Sequence, residues 1–168
     1  MRSRVRLERP IARAAAEFLA AVRRSRKLHS PWAKPPSTES AYRAFVRRTR
    51  SPGHAAYLIR LRGTAELVGV AGISEIVRGN LRSAYLGYYA FAPHDGQGLM
   101  REGLALVIKQ AFGPLRLHRL EANVQPGNRA SLALLRRLGF RREGYSRRYL
   151  KIRGRWRDHE RWALLADE

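Results

Sequence analysis

The sequence predicts a mixed α/β (α+β) domain, in which helices cover both faces of a central, largely antiparallel sheet. Residues 56–91 are rich in β-favouring residues and are broken only by short turns, which is typical of an antiparallel meander. Residues 82–140 then run strand, helix, strand, helix, and such a crossover favours parallel pairing of its two strands. We expect these strands and helices to form a single domain spanning residues 1–168, because 168 residues is an ordinary domain length.

The first third of the chain is predicted to be mainly helical. Val5 to Leu7 forms a short strand, and Pro10 opens a helix that ends near Arg24, since its apolar residues recur at helical spacing. The segment Ser25 to Ser37 contains three prolines and is predicted to be irregular. A second helix follows from about Thr38 to Arg50, with a hydroxyl side chain as its N-cap.

The rest of the chain supplies the sheet and two more helices. We expect the last meander strand and the strand after the crossover to be parallel neighbours that splay apart. The backbone of residues 87–91 would then be free to pair with an extended ligand that carries amides. The predicted elements are strands Ala56 to Leu61, Ala65 to Val77, Arg82 to Phe91 and Arg119 to Val124, helices Leu99 to Phe112 and one ending at Gly139, and a closing antiparallel pair, Arg141 to Tyr149 with Arg155 to Leu165.

The turn from His94 to Met100 lies where the crossover helix begins. Its glycines, Gly96 and Gly98, allow positive φ and close backbone approach, so that successive N–H groups can face one concavity. A helix N-terminus with free N–H groups favours an anion, and the natural ligand class is a phosphate or pyrophosphate. The motif is neither a P-loop nor a complete dinucleotide fingerprint. Taken alone, it is equally compatible with a tight turn before a helix.

Several further motifs accompany this turn in a fixed order. Together they resemble the GCN5-related N-acetyltransferase (GNAT) superfamily and, within it, the Rim type that acetylates the N-termini of ribosomal proteins. The resemblance extends to residues 25–32 and to 156–159, so it covers nearly the whole chain. The segments that carry it are Leu86-Gly87-Tyr88-Tyr89, Gly96 to Glu102, Asn128-Arg129-Ala130-Ser131, Leu138-Gly139-Phe140 and Glu143-Gly144.

The resemblance implies an N-acetyltransferase that moves an acetyl group from acetyl-CoA directly to a protein N-terminal α-amino group, with CoA as product. It also implies a GNAT-like sheet whose splayed parallel pair receives the cofactor. Asp95 stands where the family has Gln or Arg, and we therefore do not assign it to the site. The implied cofactor contacts are Tyr88, Tyr89, Ala90, Phe91, Gly96, Gln97, Gly98, Leu99, Met100 and Asn128.

The same resemblance suggests which side chains carry the chemistry. Ser131 is the candidate acid for the departing thiolate, although a hydroxyl near a helix N-terminus can instead satisfy backbone groups. The general base is expected to be a carboxylate acting directly or through water, and Glu75, Glu121 and Asp158 remain open. His29 and Trp32 are candidates for the wall of the acceptor site, with plain packing as the alternative for Trp32.

The charge of the chain suggests a partner. Thirty-four basic residues against thirteen acidic ones give a net charge of +21, which favours polyanions such as rRNA. The alternative explanation is a genome-wide preference for arginine codons. There is no cysteine, no apolar run long enough to span a membrane, and no metal-ligand spacing among the five histidines. We therefore expect a cytoplasmic protein that needs neither a membrane nor a metal.

Two other functions stay open at this point. One keeps the reaction but transfers the acetyl group to a small amine or an antibiotic. The other is a ribosome-associated, RNA-binding assembly factor whose transferase site is vestigial. Free small amines as substrates would favour the first, whereas salt-sensitive rRNA binding without turnover would favour the second.

Overall fold

The computed structural model describes residues 3–168, which form one seven-stranded sheet with five α-helices packed on it. No helix in these residues is long and apolar enough to cross a membrane. The strands are β1 (Val5–Glu8), β2 (Ala55–Leu61), β3 (Leu67–Val77), β4 (Ser83–Ala90), β5 (Arg119–Val124), β6 (Arg141–Ile152) and β7 (Arg155–Leu165). The helices are α1 (Ala15–Arg24), α2 (Arg26–His29), α3 (Glu39–Arg48), α4 (Leu99–Phe112) and α5 (Arg129–Arg137).

The strand order of the sheet is β1-β2-β3-β4-β5-β7-β6. The pair β4–β5, which α4 connects, is parallel, and the other five neighbouring pairs are antiparallel. This topology confirms the predicted mixed, largely antiparallel sheet with a parallel pair at the crossover.

The parallel pair separates soon after it forms. Register contacts between β4 and β5 run only from Ser83, opposite Arg119, to Tyr85, opposite Glu121. The strands themselves continue to Ala90 and Val124, so their carboxyl-terminal halves diverge and open a wedge in the sheet. Gly87 is exposed at this opening. The predicted splay is therefore present, and it leaves the β4 backbone facing a gap where a ligand can lie.

Helices cover both faces of the sheet. On one face, α4 and α5 bury residues such as Leu104 and Leu135 against the sheet. On the other, α1 and α3 form a separate core in which the rings of Phe18 and Tyr42 lie 4.5 Å apart between centroids. On this second face Arg60 joins β2 to α1, because its guanidinium binds both carboxylate oxygens of Glu17 at 2.7 and 2.8 Å.

The element boundaries differ from the prediction by more than two residues in three places. The helix predicted from Pro10 begins as a 3₁₀ turn at Ala12–Ala14 and becomes α-helical only at Ala15. The segment predicted to be irregular contains α2, because its first proline is Pro31 and the preceding backbone N–H groups are free to form a turn. Strand β6 continues beyond Tyr149 to Ile152, since the hairpin with β7 closes between Ile152 and Arg155.

Gly69 in β3 couples the sheet to the start of α4. A Cβ atom at this position would overlap the sulfur of Met100 and would lie 2.7 Å from the backbone oxygen of Tyr89. We expect Gly69→Ala to lower the free energy of unfolding by about 1–3 kcal/mol, the range for overpacking a core. Thermal denaturation measures this change. Gly53→Ala is the matched control, because nothing lies within 4 Å of the added atom, and an equal loss of stability in both variants would contradict the steric explanation.

Candidate active site

Two cavities open into the wedge between β4 and β5. The first, here called the glycine-loop cavity, has a volume of about 600 Å³ and is lined by the turn before α4 together with α5. The second, here called the hairpin cavity, has a volume of about 560 Å³ and is lined by β3, β4, β5 and the β6–β7 hairpin. They meet at a junction formed by residues that line both: Trp32, Ala33, Tyr88, Tyr89, Asn128 and Ser131.

The glycine turn presents backbone N–H groups to the first cavity. Gly96 and Gly98 have φ values of 72° and 76°, as the motif predicts. The first helical hydrogen bond of α4 runs from Glu102 N to the Gly98 oxygen at 3.2 Å. Within the described chain, no acceptor is hydrogen-bonded to the N–H groups of residues 96–101. These donors and the helix dipole favour an anion at this turn.

Basic side chains add to this positive potential. The guanidinium of Arg4 bonds the Gln97 oxygen at 3.0 Å and the carboxylate of Glu102, which ties β1 to the start of α4. Hydrogen bonds from the Arg4 backbone and side chain lower the pKa of Glu102, because together they outweigh its desolvation. Arg101 and Arg137 line the cavity, as does Asp95. No local signal in the sequence points to Arg4, because its partners lie more than ninety residues away.

His29, a candidate for the wall of the acceptor site, lines the glycine-loop cavity. Its Nε2 donates to the Ala90 oxygen at 2.7 Å, while its Nδ1 is buried without a hydrogen-bond partner. Burial lowers the pKa of His29, so the ring is neutral and Nδ1 is an acceptor. An amide N–H of a ligand lying along β4 would satisfy it. The anion turn and this orphaned acceptor therefore fit a long, amide-bearing phosphate ligand such as CoA.

Not every predicted cofactor contact faces the cavity. Tyr88, Tyr89, Ala90, Gly96, Gly98, Met100 and Asn128 line it. The side chains of Phe91 and Leu99 are buried in the two cores, and Phe91 N is bonded to the Val68 oxygen, so neither the side chain nor the N–H of Phe91 is directed to the cavity. The Gln97 side chain donates to the Pro93 oxygen at 2.9 Å, which leaves its backbone N–H for a ligand.

Asn128 and Ser131 both lie at the start of α5, and only the Asn128 side chain caps the helix. The Asn128 Oδ1 accepts the Ser131 backbone N–H at 3.2 Å and so caps the helix. The Ser131 hydroxyl makes no hydrogen bond within residues 3–168, which removes the alternative that this hydroxyl serves as a cap. Ser131 stands at the junction of the two cavities.

Tyr88 provides a second hydroxyl at the same junction. Its phenol points to the Ser131 backbone oxygen at 3.4 Å, a long contact. Burial raises the pKa of Tyr88 to about 12, so the phenol stays protonated near neutral pH. Tyr88 is thus a hydrogen-bond donor beside Ser131 and not a base.

The three carboxylates considered as bases lie in different surroundings. Glu75 lines the hairpin cavity and is largely exposed, with its carboxylate 4.0 Å from His54. Glu121 lines neither cavity and is paired with Arg119 at 2.8 Å. Asp158 accepts the Tyr145 hydroxyl at 2.6 Å and the Arg148 N–H at 2.8 Å, which lowers its pKa and braces the hairpin. Of these carboxylates, Glu75 alone borders the cavity.

The hairpin cavity holds two further polar groups that the sequence analysis does not assign to the site. The Oδ1 atom of Asn123 is buried and has no hydrogen-bond partner. His159 is buried, and its Nδ1 donates to the Arg157 oxygen at 2.9 Å. The segment 156–159 belongs to the family resemblance, but only the fold shows that His159 reaches this cavity. No group of three histidine or carboxylate side chains in residues 3–168 is arranged to hold a metal ion.

The family model of the acetyltransferase (GNAT) domain matches residues 4–141. The chain belongs to the GNAT acetyltransferase family. This confirms the predicted family and acyltransferase class. A Mycobacterium smegmatis RimJ structure in complex with CoA-disulfide superposes with a TM-score of 0.89 at 30% identity, covering 97% of this chain and 82% of that one. The cofactor in that structure agrees with the predicted one.

The GNAT chain is also similar to curated relatives. It is 46% identical over 103 residues to the ribosomal protein uS5-alanine N-acetyltransferase of Escherichia coli, an alignment that covers 61% of this chain and 53% of the relative. The chain spans about half the length of the curated relatives it matches. A Vibrio cholerae spermidine N-acetyltransferase with CoA and spermine shares the fold, with a TM-score of 0.82 at 19% identity, covering 98% of this chain and 96% of that one.

Proposed function

We propose that this GNAT protein transfers an acetyl group from acetyl-CoA to the N-terminal α-amino group of a protein, and specifically of a ribosomal protein. The junction of the two cavities is the observation that carries the proposal. One cavity offers an anion turn and the open edge of β4, and the other offers polar groups for an amine. Residues from both meet at Ser131, so donor and acceptor can approach from opposite sides.

The residues that line the two cavities have separate roles in this reaction. Bound acetyl-CoA supplies the acetyl group as an activated thioester. The N–H groups of residues 96–101 hold its pyrophosphate, and each hydrogen bond to a charged phosphate contributes about 1.5–3 kcal/mol. The backbone of Gly87 to Ala90 orients its amide-bearing arm. Ser131 delivers a proton to the departing sulfur, with the Tyr88 phenol beside it.

The charges of the hairpin cavity favour a single amine over a polyamine. Lys34 and Arg48 line this cavity with Glu75 as the single carboxylate. A polyamine carries several positive charges and needs several carboxylates, so this lining would repel it. A peptide N-terminus carries one ammonium group. The similarity to a uS5-alanine acetyltransferase supports a ribosomal protein as substrate, and such a substrate implies a cytoplasmic location.

The test is a substrate panel with the purified protein. CoA release from acetyl-CoA would be measured with N-terminal peptides of small ribosomal proteins, free polyamines and aminoglycosides. We expect turnover with one or more of the peptides and little with the polyamines. Turnover with the small amines alone would replace the proposed substrate class, whereas tight acetyl-CoA binding without any turnover would favour a vestigial site.

The β6–β7 hairpin supports an additional association with rRNA. Residues 141–157 contain eight basic residues and one acidic residue. Arg141 and Arg142 pair with carboxylates, whereas the other six form no ion pair within residues 3–168. Trp156 is 59% exposed among them, and an exposed aromatic ring between basic side chains can stack on a base. We therefore propose that this hairpin contacts rRNA while its inner side lines the acceptor site.

A triple variant tests the hairpin as an RNA-binding surface. Arg147→Ala, Lys151→Ala and Arg155→Ala together should weaken binding to a short rRNA hairpin. The slope of log K against log salt should become shallower by roughly 0.7–0.9 for each phosphate that the variant no longer neutralises. The control removes Arg13, Arg23 and Arg47, which are exposed on the α1–α3 side, and changes the net charge equally. Equally weak binding by both triple variants would show that total charge, not the hairpin, governs RNA affinity.

A further inference from the structure

The imidazole of His159 is held in a defined tautomer at the wall of the hairpin cavity. Its Nδ1–H donates to the Arg157 oxygen at 2.9 Å, which leaves the lone pair on Nε2. Nε2 forms no hydrogen bond within residues 3–168, yet it is not sealed from solvent. The ring of Tyr149 lies edge-on to it, with 6.2 Å between centroids, and fixes its orientation. His159 therefore presents an unused acceptor to the site where an amine would bind.

We propose that His159 is the general base of the reaction and that Asn123 positions the amine for it. This proposal rests on the proposed acetyl transfer. The buried Oδ1 of Asn123 lines the same cavity and lacks a donor, and an ammonium N–H would supply one. The two acceptors together match an ammonium group, which has several N–H donors. None of the three candidate carboxylates combines burial with access to this cavity.

The protons balance in this scheme. The α-ammonium of the acceptor gives one proton to Nε2 of His159, and the resulting imidazolium later returns it to solvent. The neutral amine then forms a bond to the acetyl carbon as the carbon–sulfur bond breaks. The nitrogen then loses a second proton, which passes to Ser131. It replaces the proton that the Ser131 hydroxyl gives to the sulfur. The sum is an acetylated amine, CoA as free thiol and one proton released.

The surroundings of His159 keep it neutral at the pH of the reaction. Burial lowers the pKa of His159. The hydrogen bond to the Arg157 backbone oxygen and the negative charge of Asp158 raise it, but by less. From β6, Tyr149 faces the ring, and Tyr85 of β4 lies near Tyr149. The negative charges of Glu121 of β5 and Glu75 of β3 help to raise the pKa of Tyr85. The base is thus available at pH 7 and becomes protonated only below its ordinary pKa of about 6.5.

His159→Asn is the decisive variant, because the Asn amide can keep the hydrogen bond to the Arg157 oxygen while lacking the base. We expect kcat/KM for a peptide acceptor to fall about a hundredfold at pH 6.5, with unchanged acetyl-CoA affinity. The pH profile should also change. In the wild type, kcat/KM levels off above the pKa of His159, whereas in the variant it should keep rising to about pH 8, where the α-amine itself loses its proton.

The controls separate this inference from the proposed function. His118→Asn removes an exposed histidine outside both cavities and should leave the profile unchanged. If His159→Asn does not fold, His159→Gln serves in its place. An active variant with the wild-type profile would overturn the role of His159 alone. A wild type that turns over no peptide would instead overturn the proposed function.

Discussion

Gly98→Glu should abolish acetyl-CoA binding, raising its Kd by more than about a hundredfold. Gly98 is the N-cap of α4 at φ 76°, it lines the glycine-loop cavity, and its N–H has no acceptor within residues 3–168. Glutamate at this position would put a carboxylate beside the pyrophosphate and would strain the left-handed backbone. Loss of two charged hydrogen bonds at about 1.5–3 kcal/mol each already exceeds a hundredfold in Kd. Isothermal calorimetry with CoA measures the change.

The control for Gly98→Glu is Gly79→Glu. Gly79 also has a positive φ, of 70°, and no atom lies within 4 Å of the added Cβ. It lines neither cavity. The backbone strain is therefore matched, while the charge is moved away from the site. Unchanged CoA affinity in Gly98→Glu would refute the assignment of the turn as the phosphate site.

Ser131→Ala should reduce kcat by roughly 10²–10⁴-fold, the usual contribution of a positioned acid. The hydroxyl has no other hydrogen bond in the described chain, and Asn128 caps the helix independently of it. Stability and CoA affinity should therefore change little. Steady-state kinetics with a saturating peptide acceptor measures kcat directly.

Ser131→Thr is the matched variant for this prediction, since it keeps a hydroxyl and adds one methyl group. It should retain most of the activity that Ser131→Ala loses. Equal loss in both variants would mean that space at the cavity junction, not the proton, is critical. Full activity in Ser131→Ala would transfer the role of acid to the Tyr88 phenol or to water.

The fold and the anion turn could be predicted from the sequence because their signals are local. Strand alternation, helical spacing and glycines before a helix all lie within short windows, and these windows cover the meander, the crossover and the turn at Gly96 to Gly98. The boundary errors arose where a helix starts weakly, as before Ala15, or where a hairpin extends a strand, as at Ile152.

The polar groups of the site could not be predicted in the same way. Arg4 reaches the glycine turn, and His159 reaches the hairpin cavity, through contacts that depend on the strand order. His29 is a predicted acceptor-wall residue, and in the fold α2 places it in the glycine-loop cavity with its Nε2 against the Ala90 oxygen. Glu121 has the right chemistry for a base, yet it lies two residues from Arg119 on the same face of β5 and pairs with it at 2.8 Å.

The most direct test of the proposed function is to locate the acetyl group on a product. The purified protein would be incubated with acetyl-CoA and a ribosomal-protein N-terminal peptide, beside the same peptide with a blocked N-terminus, and the acetylated position would be found by tandem mass spectrometry. We predict acetylation of the free α-amino group and none of the blocked peptide. Equal acetylation of both peptides at lysine side chains would contradict transfer to a protein N-terminus.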